Sequence, residues 1–173
     1  MGRVRGAAAA VVAALVLAVV AGGVGTVGAP AEAHPPAHVV RRAASESLGR
    51  RVLALTNRRR RQHDCGPLHW QAQLRTSAQA HTDDMASSDV LAHLLAHELG
   101  LVARILRAGY HPWHRIAENI AVGYPDPTSV VAAWMQSPEH RRNILDCHLH
   151  DLGVGVTTDP AGTTWWTQDF GQH

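Results

Sequence analysis

The 173-residue chain contains no lysine; all 16 of its basic residues are arginine, set against 14 acidic ones. The net charge is small, which leaves no basic field for a nucleic-acid partner. Only two cysteines occur, Cys65 and Cys147. No internal repeat divides the sequence, and its length suits one domain with its own core. No G-x-S-x-G frame surrounds Ser137, which precedes Pro138 and suits the start of a short helix better than a nucleophile. A zinc-protease helix is also missing. In LLAHELG, residues 94–100, His97 and Glu98 lead to Leu99, Gly100 and Leu101, where H-E-x-x-H requires a second histidine. His93 lies four residues before His97 and shares its face if the segment is helical. With 13 histidines in the chain, no single one argues strongly by itself.

The first residues have the layout of a secretory signal peptide. Arg3 and Arg5 precede an apolar run from Ala7 to about Val20, and Ala31-Glu32-Ala33 offers small residues for cleavage. A retained membrane anchor is the alternative; the Gly-rich and small residues that end the run favour cleavage. Cleavage after Ala33 would remove Arg3, Arg5 and Glu32, leaving 14 basic and 13 acidic residues of the 16 and 14. The mature chain would then be nearly neutral, secreted and without a stable membrane span. In an exported protein, an even cysteine count suggests one disulfide.

Residues 1–33 are therefore expected to be the signal peptide, 34–45 a flexible lead-in and 46–173 the domain. A helix is expected around Val52–Thr56, ended by Gly66-Pro67, with Arg58–Arg61 as a solvated face. Leu74, Ala78, His81 and Met85 predict a second helix over Gln71–Met85, with His81 packed against a helix surface. A third helix spans about Leu99–Ala108 and stops at Gly109. A fourth runs from Thr128, as N-cap after Pro127, to Ser137. Leu152–Val156 reads as a strand. So does Thr163–Phe170, with Trp165, Thr167 and Asp169 on one face and Trp166, Gln168 and Phe170 on the other. Asp159–Gly162 forms the turn between them. Helices first and a hairpin last predict an α+β layered domain.

Polar residues stand out in four segments: His93 with Glu98, the frame IAENIA at 116–121, SPEHRRNIL at 137–145 and WWTQDFG at 165–171. Glu118 inside its apolar frame calls for a partner if buried. Asn143 is expected to cap or bridge a turn, and Trp134, Trp166 and Phe170 to fill the core. With LTNRRR, PLHWQAQL, AQAHTDDM, LAH, RILRAGY, AENIAVGY and LGVGV in this order, the chain from about Leu53 to Gly171 resembles the CAP superfamily, also called SCP-like. That superfamily includes cysteine-rich secretory proteins, insect venom antigens, plant pathogenesis-related proteins and exported bacterial proteins. The S-P-x-H-R-x-N-I-L pattern resembles its bacterial branch.

The resemblance implies a three-layer α-β-α sandwich with a central antiparallel sheet. It also implies a cleft lined by two histidines and two acids: His93, Glu98, Glu118 and His140. Ala117 stands where the family usually has Gly. Glu98 follows the eukaryotic spacing, whereas bacterial relatives usually carry a Gly-containing loop with Asp, so either Glu98 or His97 completes the cleft. The resemblance also implies that Cys65, before PLHW, is tied to Cys147, after HRRNIL. Two neutral imidazoles, His93 and His140, suit Zn²⁺ or another divalent cation. The carboxylates would accept their N–H protons or activate a water. The alternative is that the four groups only hydrogen-bond one another and pin loops to the core. Three functions follow from the resemblance. One is a secreted protein binding a metal and a small-molecule or lipid ligand. The others are a metal-assisted, peptidase-like hydrolase and a structural module binding an envelope ligand.

Overall fold

Alternation along the C-terminal hairpin sets the layers. The structure, a computed structural model, describes Gly2 and residues 35–173, so the expected signal peptide and its cleavage site lie outside the described residues. Strand β3 (Asp151–Thr158) pairs antiparallel with β4 (Thr164–Gln172). Asp159 closes the turn between them: its carboxylate accepts from the Ala161 and Thr163 amides, and Gly162 takes the left-handed conformation at φ 88°. On one face of β4, Trp166 and Phe170 join Leu152, Val154 and Val156 of β3 in the main core. On the other face lie Trp165, Thr167 and Asp169. Both faces of this hairpin are therefore buried, as a central sheet layer requires.

Two further strands complete the sheet in the order β1-β3-β4-β2. The short β1 (His69–Trp70) runs parallel to β3 at Asp151–Leu152, and β2 (Arg115–Val122) runs antiparallel to β4. The antiparallel core is as expected, but β2 is a strand in mid-chain that the helices-then-hairpin reading did not anticipate. Its frame IAENIA carries polar residues on both faces, which conceals the alternation normally used to recognise a strand.

Helices α1 (Ala37–Arg61), α4 (Pro127–Gln136) and α5 (Pro138–Ile144) cover the face with Trp166 and Phe170. Helices α2 (Ala72–Ser88) and α3 (Leu101–Arg107) cover the other. The result is the expected α-β-α sandwich. Helix α2 ends at Asp89, whose φ of 53° turns the chain out of the helix. Helix α4 is capped by Asp126, not Thr128: the Asp126 carboxylate accepts from the Thr128 and Ser129 amides while Pro127 occupies the first turn. Residues 90–100 form no helix, so His93 and His97 are not turns of one helical face.

Two other expectations change. The lead-in of 34–45 is helical from Ala37 onward, because Pro36 supplies the extended residue at the helix start and an Ala- and Arg-rich stretch follows. Ser45 in that stretch donates to Gln79 Oε1 and to the Val156 carbonyl, tying the helix down. Arg60 is not part of a solvated face. It is completely buried, and its guanidinium donates to the carbonyls of Gly66, Ile144, Asp146 and Leu149. Burial pushes the Arg60 pKa below its ordinary value, against the attraction of Asp146. The Cys65–Cys147 disulfide, with Cα atoms 4.9 Å apart, fastens the same loop to the end of α1. It closes a loop of 82 residues and contributes roughly 4–5 kcal/mol on a chain-entropy account. Among the described residues, no helix is long and apolar enough to cross a membrane.

Helix α2 lies directly on β3 because Gly153 and Gly155 give it room. A Cβ on Gly153 would sit 2.0 Å from the Arg75 amide nitrogen, and one on Gly155 2.3 Å from the Ala78 carbonyl oxygen. Backbone atoms cannot swing aside as a flexible side chain does. Gly153→Ala is therefore expected to destabilise the protein by about 3 kcal/mol, read by chemical denaturation. Gly66→Ala, whose added methyl would meet nothing within 4 Å, is expected to stay within about 0.5 kcal/mol of wild type.

Candidate functional site

Glu118 is the centre of the polar residues on the α2/α3 side of the sheet. It lies in β2 opposite Asp169 of β4, and both side chains face the same layer. Glu118 is 7% exposed, too buried to remain ionised without partners. Its Oε1 accepts from His93 Nδ1 at 2.7 Å, and its Oε2 pairs with the Arg104 guanidinium. His81 Nε2 lies 3.8 Å from the same Oε2. Burial pushes the Glu118 carboxyl upward, but the His93 hydrogen bond and the charges of Arg104 and His81 together hold it below its ordinary value.

Arg104 also organises the loop above it. Its Nη1 donates to the carbonyls of His93 and Leu99, at 3.3 and 3.2 Å, and its Nε lies 3.4 Å from Glu98 Oε1. Glu98 in turn hydrogen-bonds His81 Nδ1 at 2.7 Å. His81 comes from α2, His93 and Glu98 from the loop 90–100, Arg104 from α3 and Glu118 from the sheet. One ionic cluster therefore joins four parts of the chain.

Asp169 lies deepest. It is completely buried, and neither carboxylate oxygen has a hydrogen-bond partner among the described residues. Burial drives its pKa well above the usual carboxylate range, and the adjacent Glu118 charge adds to this. The Arg104 charge opposes the shift less strongly. The raised pKa of Asp169 favours its protonated form, which lessens repulsion from the Glu118 carboxylate on the neighbouring strand.

His140 approaches from α5. It is half-buried; burial and the neighbouring His93 hold it below its ordinary pKa, although Glu139 pulls the other way. A hydrogen-bonded chain on the opposite sheet face fixes α5 in place. Gln168 donates to Thr56 Oγ1, and Asn119 Nδ2 donates to Gln168 Oε1 and to the His140 carbonyl. Asn143 Nδ2 donates to Asn119 Oδ1 and to the Glu118 carbonyl. Asn143 therefore bridges helix to strand.

Of the four expected cleft residues, His93 and Glu118 touch, and His140 lies near enough to His93 to feel its charge. Glu98 reaches the others through His81 and Arg104. Among the described residues, no hydrogen bond or ion pair joins the His97 side chain to the cluster, although it lines the same depression as Glu98 and Arg104. Sequence reading missed His81, Arg104 and Asp169 as members of the cluster. Each is a polar residue at a buried position of an otherwise apolar period, and that was the available signal. Both oxygens of Glu118 are engaged, as are those of Glu98. The His93 ring carries its hydrogen bond on Nδ1 while its side chain is 58% exposed. Among the described residues, no group of three His, Cys, Asp or Glu could hold a metal ion.

Residues 53–170 match the model of the CAP family, described as the Cysteine-rich secretory protein family. Two proteins of Bacillus subtilis (strain 168) are similar in sequence. The uncharacterized protein YkwD is 32% identical over 123 residues, 71% of this chain and 47% of that protein. The uncharacterized membrane protein YlbC is 30% identical over 121 residues, 70% of this chain and 33% of that protein. This chain thus spans between a third and a half of the length of the curated relatives it matches. A crystal structure of an extracellular protein containing a SCP domain, from Bacillus anthracis str. Ames, superposes with a TM-score of 0.72 at 26% identity. The match covers 82% of this chain and 45% of that one.

Replacing Arg104 by Gln removes the guanidinium that offsets Glu118. The variant is expected to lose about 3–5 kcal/mol of stability, as for a buried pair that has lost one partner. Adding Glu118→Gln should make the combined loss smaller than the sum of the two single losses, measured as a double-mutant cycle by denaturation.

Proposed function

Since the chain belongs to the CAP family of cysteine-rich secretory proteins, we propose that it is an exported binding protein whose cleft takes a divalent cation, Zn²⁺ or similar, at His93 and His140. The observation that carries this reading is the state of His93. Glu118 accepts its Nδ1 proton at 2.7 Å, so in the neutral form the exposed ring offers the Nε2 lone pair to a ligand. A carboxylate behind a metal-binding histidine is the usual arrangement that fixes the tautomer and raises its basicity. Burial favours the neutral form of His140, the form that binds metal. Two imidazoles would leave the cation's other positions to water or a ligand. They do not fit a closed structural zinc site, which takes four protein ligands. The cation would supply Lewis-acid attraction for an oxygen of a small-molecule, lipid or envelope ligand.

Export is supported by the Arg3/Arg5 and apolar leader pattern, by the disulfide and by the likeness to an extracellular SCP-domain protein. Metal-assisted hydrolysis has less support, because Glu118 and Glu98 are both held in hydrogen bonds or ion pairs and neither stands ready as a general base. The ties of Arg104 to the 90–100 loop and of His81 to Glu98 also favour a scaffolding role for these two residues beneath the cleft.

Calorimetric titration with Zn²⁺ tests the reading. Wild-type protein is expected to bind one equivalent, His93→Ala and His140→Ala to bind none, and Glu118→Gln to bind about 10–100-fold more weakly. Affinity should rise with pH through the elevated pKa of His93, because the proton and the cation compete for that ring. No uptake by the wild type, with both histidine variants less stable, would reduce the cleft to scaffolding.

A further inference from the structure

On the far side of α2 from the cluster, a groove of about 720 Å³ runs between the first turns of α1, helix α2 and the end of β3. It exists because β1 pairs with β3 only at Asp151 and Leu152, so the rest of that strand edge has no neighbouring strand. Ser45 and Gln79 satisfy the Val156 backbone at this edge. The groove is lined by Arg41, Arg42 and Arg75, with His38 at its rim and one acid, Asp83. Asp83 is occupied: its Oδ1 accepts from Gln79 Nε2 and from Thr157 Oγ1.

Arg75 differs from the other arginines of the chain. It is 8% exposed, its Nε has no hydrogen-bond partner, and no acid lies within 4.0 Å of it among the described residues. Arg60, the comparable buried arginine, has four carbonyls around it. Glu46 feels the charge of Arg75 but is bound twice by Arg50, at 3.0 and 2.8 Å. A guanidinium buried to this extent usually has an oxyanion partner. Here three arginines face one occupied carboxylate, which leaves a cationic pocket with an apolar wall formed by Leu48, Ala80 and Val156.

We propose that this groove is a second binding site, for a small organic phosphate. The phosphoryl oxygens lie against Arg75 and the paired Arg41 and Arg42, and the organic body packs on Leu48, Ala80 and Val156. Guanidinium groups bind phosphate through parallel charge-assisted hydrogen bonds, and three of them match a dianion better than a single carboxylate. The groove volume exceeds what a bare inorganic ion fills, so the ligand carries more than its phosphate.

The site is tested with phenyl phosphate, inorganic phosphate and benzoate, each titrated into the purified protein by calorimetry. Phenyl phosphate is expected to bind saturably and at one to one, more tightly than inorganic phosphate and about tenfold or more tightly than benzoate. The double variant Arg41→Gln/Arg42→Gln changes two exposed side chains and should fold normally. It is expected to weaken phenyl phosphate about tenfold, as for lost charge-assisted hydrogen bonds. Its Zn²⁺ titration should match that of wild type, which separates this site from the His93 cleft. Arg75→Lys keeps the charge in the buried position but removes the fork, and should weaken binding severalfold. Absence of saturable binding, equal affinity for benzoate, or affinity unchanged in both variants would overturn the proposal.

Discussion

The placement of α3 and of the loop before it depends on one buried carboxylate. Glu118 projects from the edge strand β2 into a buried layer, and an ion there is costly unless it is paired. Its partners come from separate elements. Arg104 must arrive from α3, His93 from the loop after α2, and His81 from α2 itself. Satisfying Glu118 thus fixes α3 against the sheet and folds residues 90–100 over it, although that loop has little regular structure. Arg104 completes the arrangement by holding two carbonyls of the same loop. The raised pKa of Asp169 below lessens the repulsion between the two carboxylates.

The opposite face solves a different problem with uncharged groups. Thr56, Gln168, Asn119 and Asn143 form a chain of hydrogen bonds through the main core, ending on the His140 carbonyl. Nearby, Arg60 and the disulfide hold the segment that follows α5. His93 is held by an ionic cluster on one side of the sheet and His140 by an amide network on the other, and the two meet at β2, where Asn143 donates to the Glu118 carbonyl.

The fold was largely legible because its strongest signals are periodic. The hairpin at residues 151–172 showed alternation on both faces, and Leu74, Ala78, His81 and Met85 marked α2. The segments that eluded sequence reading break those periods. Strand β2 carries Glu118 and Asn119 on opposite faces, so neither face reads as apolar. Ala37–Ala44 lacks an apolar stripe, so its helix has no period to detect. The same limitation hid part of the site. His81 and Arg104 occupy buried steps of helices, where a polar residue looks like an exception until its partner from another element is known. Motif order pointed to His93, Glu118 and His140; the contacts of Glu98 with His81 and Arg104 depend on tertiary placement, which spacing does not encode.

The most direct test of this account is an NMR titration of the His93 ring in wild-type protein and in Glu118→Gln. The hydrogen bond from Glu118 raises the His93 pKa, against the opposing effect of burial. Stabilisation from protonated His93 is complete below its unfolded pKa and fades as pH rises through the higher folded one. Glu118 has the opposite sign: its contribution is complete above its unfolded value and is lost as pH falls through the lowered folded value. The account predicts that His93 titrates above an ordinary histidine in wild type and moves down when Glu118 becomes Gln. A His93 midpoint at or below the ordinary value, or one that Glu118→Gln leaves unmoved, would contradict it.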